Sequence, residues 1–443
     1  MEKQKSAWLW VPTLYLAEGI PYFLVNVVSV TMFKRLGMSN ADLAMYTSLL
    51  YLPWVIKPLW SPLVDVVRTK RWWIICMQAL MTVCFAAIAL SIPRKTGAPV
   101  GDFALALIFF YLTAMFSATH DIAADGYYMI ALDEHRQSLF VGIRSTFYRI
   151  ASVFGQGGIV VLAGLLETRY GDIPRAWRDT LLLSSALLLL LCVWHRFALP
   201  KAAADKAAGK RASETGRETG ETSENAEPSE SRSIIEAFAS FFRKPGVLLA
   251  MVFMLLYRLP EAFSVKILTP FLLDTAAEGG LALSTTQVGV VYGTIGVIAL
   301  TLGGILGGIY AARVGLRKAL WPMALSLALP CAVYLYMAVA LPASPVVISV
   351  CVAFDQFGYG FGFTAYMLYM MYFSQGKYST SHYAICTAFM ALSMMIPGFF
   401  AGMLQESLGY TGFFIMVMVC CLATVAVTAL LPSKIDPAYG KKQ

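Results

Sequence analysis

Twelve stretches of this 443-residue chain are long and apolar enough to cross a bilayer. They run over residues 8–33, 43–64, 72–92, 103–132, 139–166, 179–198, 246–273, 285–312, 318–340, 345–373, 382–403 and 411–431. A hydrocarbon core about 30 Å thick takes about 20 residues of helix but only about 10 of a barrel strand, so runs of this length are helices. With 58% hydrophobic and 14% charged residues and a mean hydropathy of +0.66, the chain is not a soluble enzyme or a nucleic-acid-binding protein. Lys3 and Lys5 precede a first apolar run too long for a signal peptide and without a small-residue cleavage site, so it is expected to stay as a span. The eight cysteines all fall inside apolar runs, where neither disulfides nor zinc are expected.

The net charge of +8 belongs to the loops. Thirteen Lys and Arg flank the spans on the side of the termini and seven on the other, which assigns both termini to the cytoplasm. The long loop 201–233 has no apolar residue larger than Ala and nearly balanced charge, and is expected to be a disordered linker. It divides the chain into six-span halves, 1–200 and 234–443. Just after it, Ile234, Ile235, Phe238, Phe241 and Phe242 share one helical face, as in a helix lying on the membrane surface. The halves repeat. Ser61, Asp65, Lys70 and Arg71 after span 2 correspond to Gly308, Ala312, Arg313, Gly315, Arg317 and Lys318 after span 8, with Asp65, Arg313, Gly315 and Arg317 as candidate gating-loop residues. Leu16-Ala17-Glu18-Gly19 in span 1 corresponds to Leu259-Pro260-Glu261-Ala262 in span 7. An all-α membrane protein with twelve helices in two parallel six-helix repeats has the layout of the major facilitator fold. No phosphate-loop motif is present, so transport would be driven by a gradient.

Ionisable residues inside a membrane mark function by default. Leaving aside Arg196 at the edge of span 6, five are positive, Lys57, Arg144, Arg149, Arg258 and Lys266, and five negative, Glu18, Asp121, Asp125, Glu261 and Asp355. The balance points to pairing, because an unpaired buried charge is costly. In neighbouring antiparallel helices, residues equally far from the connecting loop share a depth. That criterion sets Glu18 level with Lys57, Asp121 with Arg149, and Asp125 with Arg144. The matches suggest ion pairs, with Asp121, Arg149, Arg144 and Lys57 as candidate structural pins between helices. Arg258 and Glu261 lie one turn apart on span 7 around Pro260. Tyr22, Tyr127, Tyr148, Tyr257 and Tyr359 lie near these charges, where their rings could stack on a sugar.

At these residues the chain resembles the AmpG-type muropeptide permeases, a branch of the major facilitator superfamily related to acetyl-CoA transporters. Lys57-Pro58-Leu59-Trp60-Ser61-Pro62-Leu63-Val64-Asp65 resembles that family's K-x-L-W-S-P-L-x-D, and Ser117-Ala118-Thr119-His120-Asp121-Ile122-Ala123-Ala124-Asp125 its S-A-S-Q-D-I-x-x-D. Tyr148-Arg149, Leu256-Tyr257-Arg258-Leu259-Pro260-Glu261-Ala262-Phe263, Gly289-Val290-Val291-Tyr292-Gly293-Thr294, Asp355-Gln356 and the segment from Lys377 to Ala384 continue the likeness to span 11. Glu18 departs from it, standing where the family has a small residue; His120 and His382 replace amides, and Arg144 has no usual counterpart. The resemblance implies proton-driven import of N-acetylglucosaminyl-anhydromuramyl peptides across the bacterial inner membrane.

The expected function is therefore a proton symporter for muropeptides or related amino-sugar compounds, not an enzyme, with no cofactor, metal or nucleic acid. The partners expected are the small-molecule substrate, protons and lipid, and the carrier is expected to be a monomer. A carrier of another anionic conjugate, such as a coenzyme A ester or an oligosaccharide, and a receptor that does not translocate remain the alternatives. Candidate proton-coupling residues are Glu261, Asp355, Glu18 and Asp125. Candidate substrate ligands are Arg258, Lys57, Arg149, Tyr22, Tyr127, Tyr257 and Gln356. Arg258 is expected to face both Glu261 and Asp355, so that protonating one acid frees the guanidinium for a substrate anion.

Overall fold

The computed structural model describes residues 6–132, 134–201, 205, 236, 238–376, 378–437 and 439. These residues are helical with no strand among them. Ten helices among them are long and apolar enough to cross a membrane. One of these covers Ser379–Leu430, 52 residues, far longer than a bilayer is thick, and it folds back at Gly409. There φ is 65°, which a side chain would disfavour. Another span, 40–66, escapes that criterion because prolines 53, 58 and 62 divide it into short pieces. Dividing the first and adding the second gives twelve.

In chain order these are α1 (Ala7–Arg35), α2 (40–66), α3 (Lys70–Ser91), α4 (Val100–Ala131), α5 (134–170), α6 (Ile173–Ala198), α7 (Val247–Leu273), α8 (Thr285–Val314), α9 (Leu316–Ala340), α10 (Pro345–Ser374), α11 (379–408) and α12 (410–430). Within the N-terminal half α1 packs on α5 and α3 on α4; within the C-terminal half α7 packs on α11 and α9 on α10. The seam between halves repeats as well, with α2 against α11 and α5 against α8. This pseudo-symmetry is what the repeated sequence segments anticipate. Large apolar side chains such as Leu90, Leu190, Val339 and Leu422 stand exposed around the outside, the surface a lipid-embedded bundle presents.

Lipid tails are as apolar as the helices, so close packing rather than hydrophobic burial joins the halves. Where α5 crosses α8 both carry a π-helical turn, Phe154–Ile159 and Val291–Gly296. Gly293 lies so close to Gln156 that a Cβ there would overlap its carbonyl oxygen, and Gly157 in turn packs on the Gly293 backbone.

Polar bonds lock the seam at the end opposite the termini. Lys34 of α1 pairs with Asp274 at the end of α7 at 2.5 Å. Asn40 donates to Gln405 (2.7 Å) and to the Tyr410 oxygen (3.1 Å), and Tyr410 donates to Asp274 (2.5 Å). Glu167 of α5 accepts from Arg35 (2.9 Å), Trp177 (2.8 Å) and, across the seam, Thr285 of α8 (2.7 Å).

At the terminus side Asp205 has left the polar linker. It is buried, and its carboxylate accepts from the backbone N–H groups of Lys70 (2.7 Å) and Arg71 (3.0 Å), capping α3. Apart from Lys201 and Asp205, segment 201–233 lies outside the described residues, as do Ile234 and Ile235. Of the surface-helix residues, Phe241 is fully buried against Phe373, His382 and Phe389, while Phe242 is exposed.

Candidate functional site

Two adjoining chambers, of about 420 and 590 Å³, lie between the halves at mid-depth. They share Phe23, Tyr148, Gln156, Leu300, Tyr359, Phe363 and Met367 as a common wall. The first is lined by Tyr22, Tyr51, Trp54 and Lys57 from one half and Arg258, Glu261, Tyr292 and Gln356 from the other. The second is lined by Tyr15, Glu18, Asp121, Asp125, Arg144 and Arg149, closed by α8 and α10. Volumes and linings of this kind, aromatic with a few convergent charges, are those of ligand sites.

Local sequence explains how Arg258 reaches the chamber. Pro260 lacks an N–H and its ring collides with the carbonyl four residues back, so α7 breaks after Leu256 and resumes at Leu259. Arg258 occupies the break with φ −102° and ψ 12°. Its guanidinium bonds both oxygens of Glu261 (2.9 and 3.2 Å) and the Tyr359 oxygen (2.7 Å), and lies 4.6 Å from the Phe363 ring centre. The whole arrangement is buried, with side-chain exposures of 5% and 8% for Arg258 and Glu261.

In the N-terminal half, Asp121 and Asp125 share one face of α4, four residues apart. Asp125 pairs with Arg144 at 2.9 Å, as the depth match anticipates, and accepts from the Tyr15 hydroxyl at 3.0 Å. Asp121 does not pair with Arg149. Its partner is Lys57 of α2, at 2.5 Å. Lys57 of α2 is turned to Asp121, whereas Arg149 of α5 is turned across the seam toward Thr301.

Equal numbers of buried charges therefore do not give complete pairing. Among the described residues Arg149 has no carboxylate partner; its nearest polar contact is Thr301 across the seam at 3.5 Å. Lys266 bonds Thr47 at 3.1 Å and lies over the Tyr51 ring, again without an acid. Glu18 lies beside Asp121 and Asp125, and its Oε2 has no hydrogen-bond partner. Asp355 accepts from Tyr334 (2.5 Å) and Gln356 (3.1 Å), on the flank of α10 toward α9, rather than facing Arg258 as the sequence reading expects.

Of the candidate substrate ligands, Arg258, Lys57, Tyr22 and Gln356 line the first chamber and Arg149 the second. Tyr127 and Tyr257 line neither. Both are fully buried, donating to the Pro200 carbonyl (2.5 Å) and the Gly362 carbonyl (3.0 Å), and hold helices together. Their helical faces point into their own half. In the gating loops, Gly315 is buried in the α8–α9 turn and Arg313 and Arg317 are exposed; the Asp65 side chain lies outside the described residues. The sequence reading also passes over the seam lock. Lys34 and Arg35 stand on the Lys/Arg-poor side, and that exception to the loop bias is the signal that marks them.

The chain is similar to known transporters along almost its full length. It is 24% identical over 421 residues to the anhydromuropeptide permease of Escherichia coli K12, covering 94% of this chain and 77% of that protein. A Rickettsia conorii relative with AmpG in its name is 22% identical over 434 residues, 96% of each chain. Among solved structures, a bacterial homologue of the human lysosomal transporter Spinster, inward-facing and unoccupied, superposes with a TM-score of 0.71 over 98% of both chains at 14% identity, a likeness of fold. The profile of the Major Facilitator Superfamily matches residues 13–381. A non-enzymatic carrier chamber between two six-helix repeats and a profile match over most of the chain lead to one conclusion: this multi-pass membrane protein belongs to the Major Facilitator Superfamily.

Proposed function

We propose that the chain imports muropeptides, or closely related anionic amino-sugar peptides, into the bacterial cytoplasm by proton symport. The observation that carries the reading is the paired chamber, with aromatic rings from both halves set among Lys57, Arg149 and Arg258. Rings such as Tyr22, Trp54 and Tyr359 offer flat apolar faces to sugars, and the cations offer partners to carboxylates. The likeness to the E. coli anhydromuropeptide permease supports the same substrate class. The chamber forms within one chain, so a monomer suffices.

Arg149 is the first anion contact in this scheme, because among the described residues no carboxylate competes for it. Arg258 becomes available only when Glu261 releases it. A proton on Glu261 removes the competing charge, which couples proton entry to anion binding. With termini in the cytoplasm and the inner membrane as the setting, the locked seam faces the periplasm and the chamber serves the inward-facing state. Uptake of labelled N-acetylglucosaminyl-anhydromuramyl peptide into proteoliposomes, with and without an inward proton gradient, tests the reading. Accumulation that ignores the gradient would remove the proton from the scheme; no uptake of the peptide would remove the substrate.

A further inference from the structure

Glu18 of α1 and Glu261 of α7 stand at equivalent places in the two halves, in Leu16-Ala17-Glu18-Gly19 and Leu259-Pro260-Glu261-Ala262. Glu261 is served by Arg258 three residues before it. The residue three before Glu18 is Tyr15, whose hydroxyl is turned to Asp125. Among the described residues Glu18 thus has no ion-pair partner of its own. It is 8% exposed, lines the larger chamber, and its Oε2 is without a partner. Its charged neighbours are Asp121, whose carboxyl group its own meets, Asp125 and Arg144; Arg144 is engaged with Asp125 and Lys57 with Asp121. Arg149 lines the same chamber, and among the described residues no acid pairs with it.

We infer that Glu18 receives a primary ammonium group of the cargo while Arg149 receives a carboxylate, so that the chamber selects a zwitterionic substrate. The inference rests on the reading that this chamber carries cargo and adds the substrate's charge pattern to it. A buried carboxylate beside two others sits in strongly negative potential, which an incoming cation relieves. An ammonium brings the N–H donors that the Glu18 carboxylate lacks. Among the described residues the three acids do not converge as ligands for a metal ion, which disfavours an inorganic cation in the same place. A proton is the other competitor, and the Gln variant, isosteric with protonated Glu, separates it from the ammonium.

The test uses the full-length purified protein and two probe pairs. One pair is an N-acetylglucosaminyl-anhydromuramyl tripeptide ending in lysine and its Nε-acetylated twin. The other is the same tripeptide without sugars, N-terminally acetylated in both members, with the lysine amine free or acetylated. Binding should favour the free amine at least tenfold in wild type, a preference that Glu18→Gln and Glu18→Ala abolish and Glu18→Asp partly keeps. Arg149→Gln should weaken all the probes while leaving the amine preference in place. Absence of amine discrimination in both pairs, or its survival in Glu18→Gln, overturns the inference. Loss of the preference when potassium replaces sodium would also overturn it, by assigning the cation to sodium. If only the sugar-free pair binds, with the preference intact, the muropeptide reading fails and the zwitterion inference stands. If the sugar conjugates are transported without discrimination, the reverse holds.

Discussion

Lys57 of α2 and Asp121 of α4 hold each other at 2.5 Å, and among the described residues that contact leaves Arg149 of α5 without a carboxylate. A guanidinium with five donors and no acid partner, in the wall of a chamber, is positioned for an anion from outside the protein. The partner of Asp121 thus determines which cation is free for cargo.

That pairing is open to a double-mutant cycle. Lys57 and Asp121 are about a quarter exposed, so leaving one alone should cost about 1–3 kcal/mol, less than in a dry core. Asp121→Asn and Lys57→Met should each lower the thermal midpoint in detergent, and the double variant should recover much of the loss. Asp121→Asn with Arg149→Met should be additive. Coupling in the second cycle and none in the first would contradict the geometry.

Arg258 and Arg149 should separate by readout. Arg258 and Glu261 form a deeply buried pair, so Glu261→Gln should cost about 3–5 kcal/mol of stability by stranding a cation. Arg149→Gln strands nothing; its midpoint should stay near wild type while affinity for an anionic substrate falls at least tenfold, or about 1.4 kcal/mol. Thermal unfolding and ligand titration on the same preparations give both numbers.

The lock at the far end of the seam should set the balance between conformations. Removing the Lys34–Asp274 contact by Lys34→Ala should favour the opposite opening by about 1–2 kcal/mol, roughly a 5–30-fold shift in population. Hydrogen exchange should then quicken at residues 40–49 and 402–410, which meet there. Unchanged exchange would mean that helix packing alone keeps this end shut.

Gly293 offers a steric version of the same test. Any side chain there must push α8 from the Gln156 carbonyl. Gly293→Leu should insert normally yet fail to close this end of the seam, abolishing transport; transport at wild-type rate would show that the crossing relaxes freely.

The linker should divide at Asp205. Deleting 206–230 should leave transport intact, whereas Asp205→Ala should cost about 0.5–2 kcal/mol through the lost cap on α3. Equal midpoints for Asp205→Ala and wild type would show the cap to be idle.

The spans and the division into two six-helix halves are legible in the apolar runs of the sequence. The Arg258–Glu261 pair is legible from its spacing, and in the structure Arg258 caps the helix that resumes at Leu259 while Glu261 stands in its first turn. The Asp125–Arg144 pair was also legible, since chain distance from a loop converts directly into depth. Depth is only one coordinate, however. Lys57 and Arg149 both satisfy it for Asp121, and choosing between them requires the rotation of each helix about its axis and the identity of its neighbours. The same missing rotation made Tyr127 and Tyr257 look like chamber residues when they face their own bundles. Lys34 and Asp274 belong to different repeats and share no local pattern. Their meeting follows from how the two halves dock, which no pattern within either half encodes.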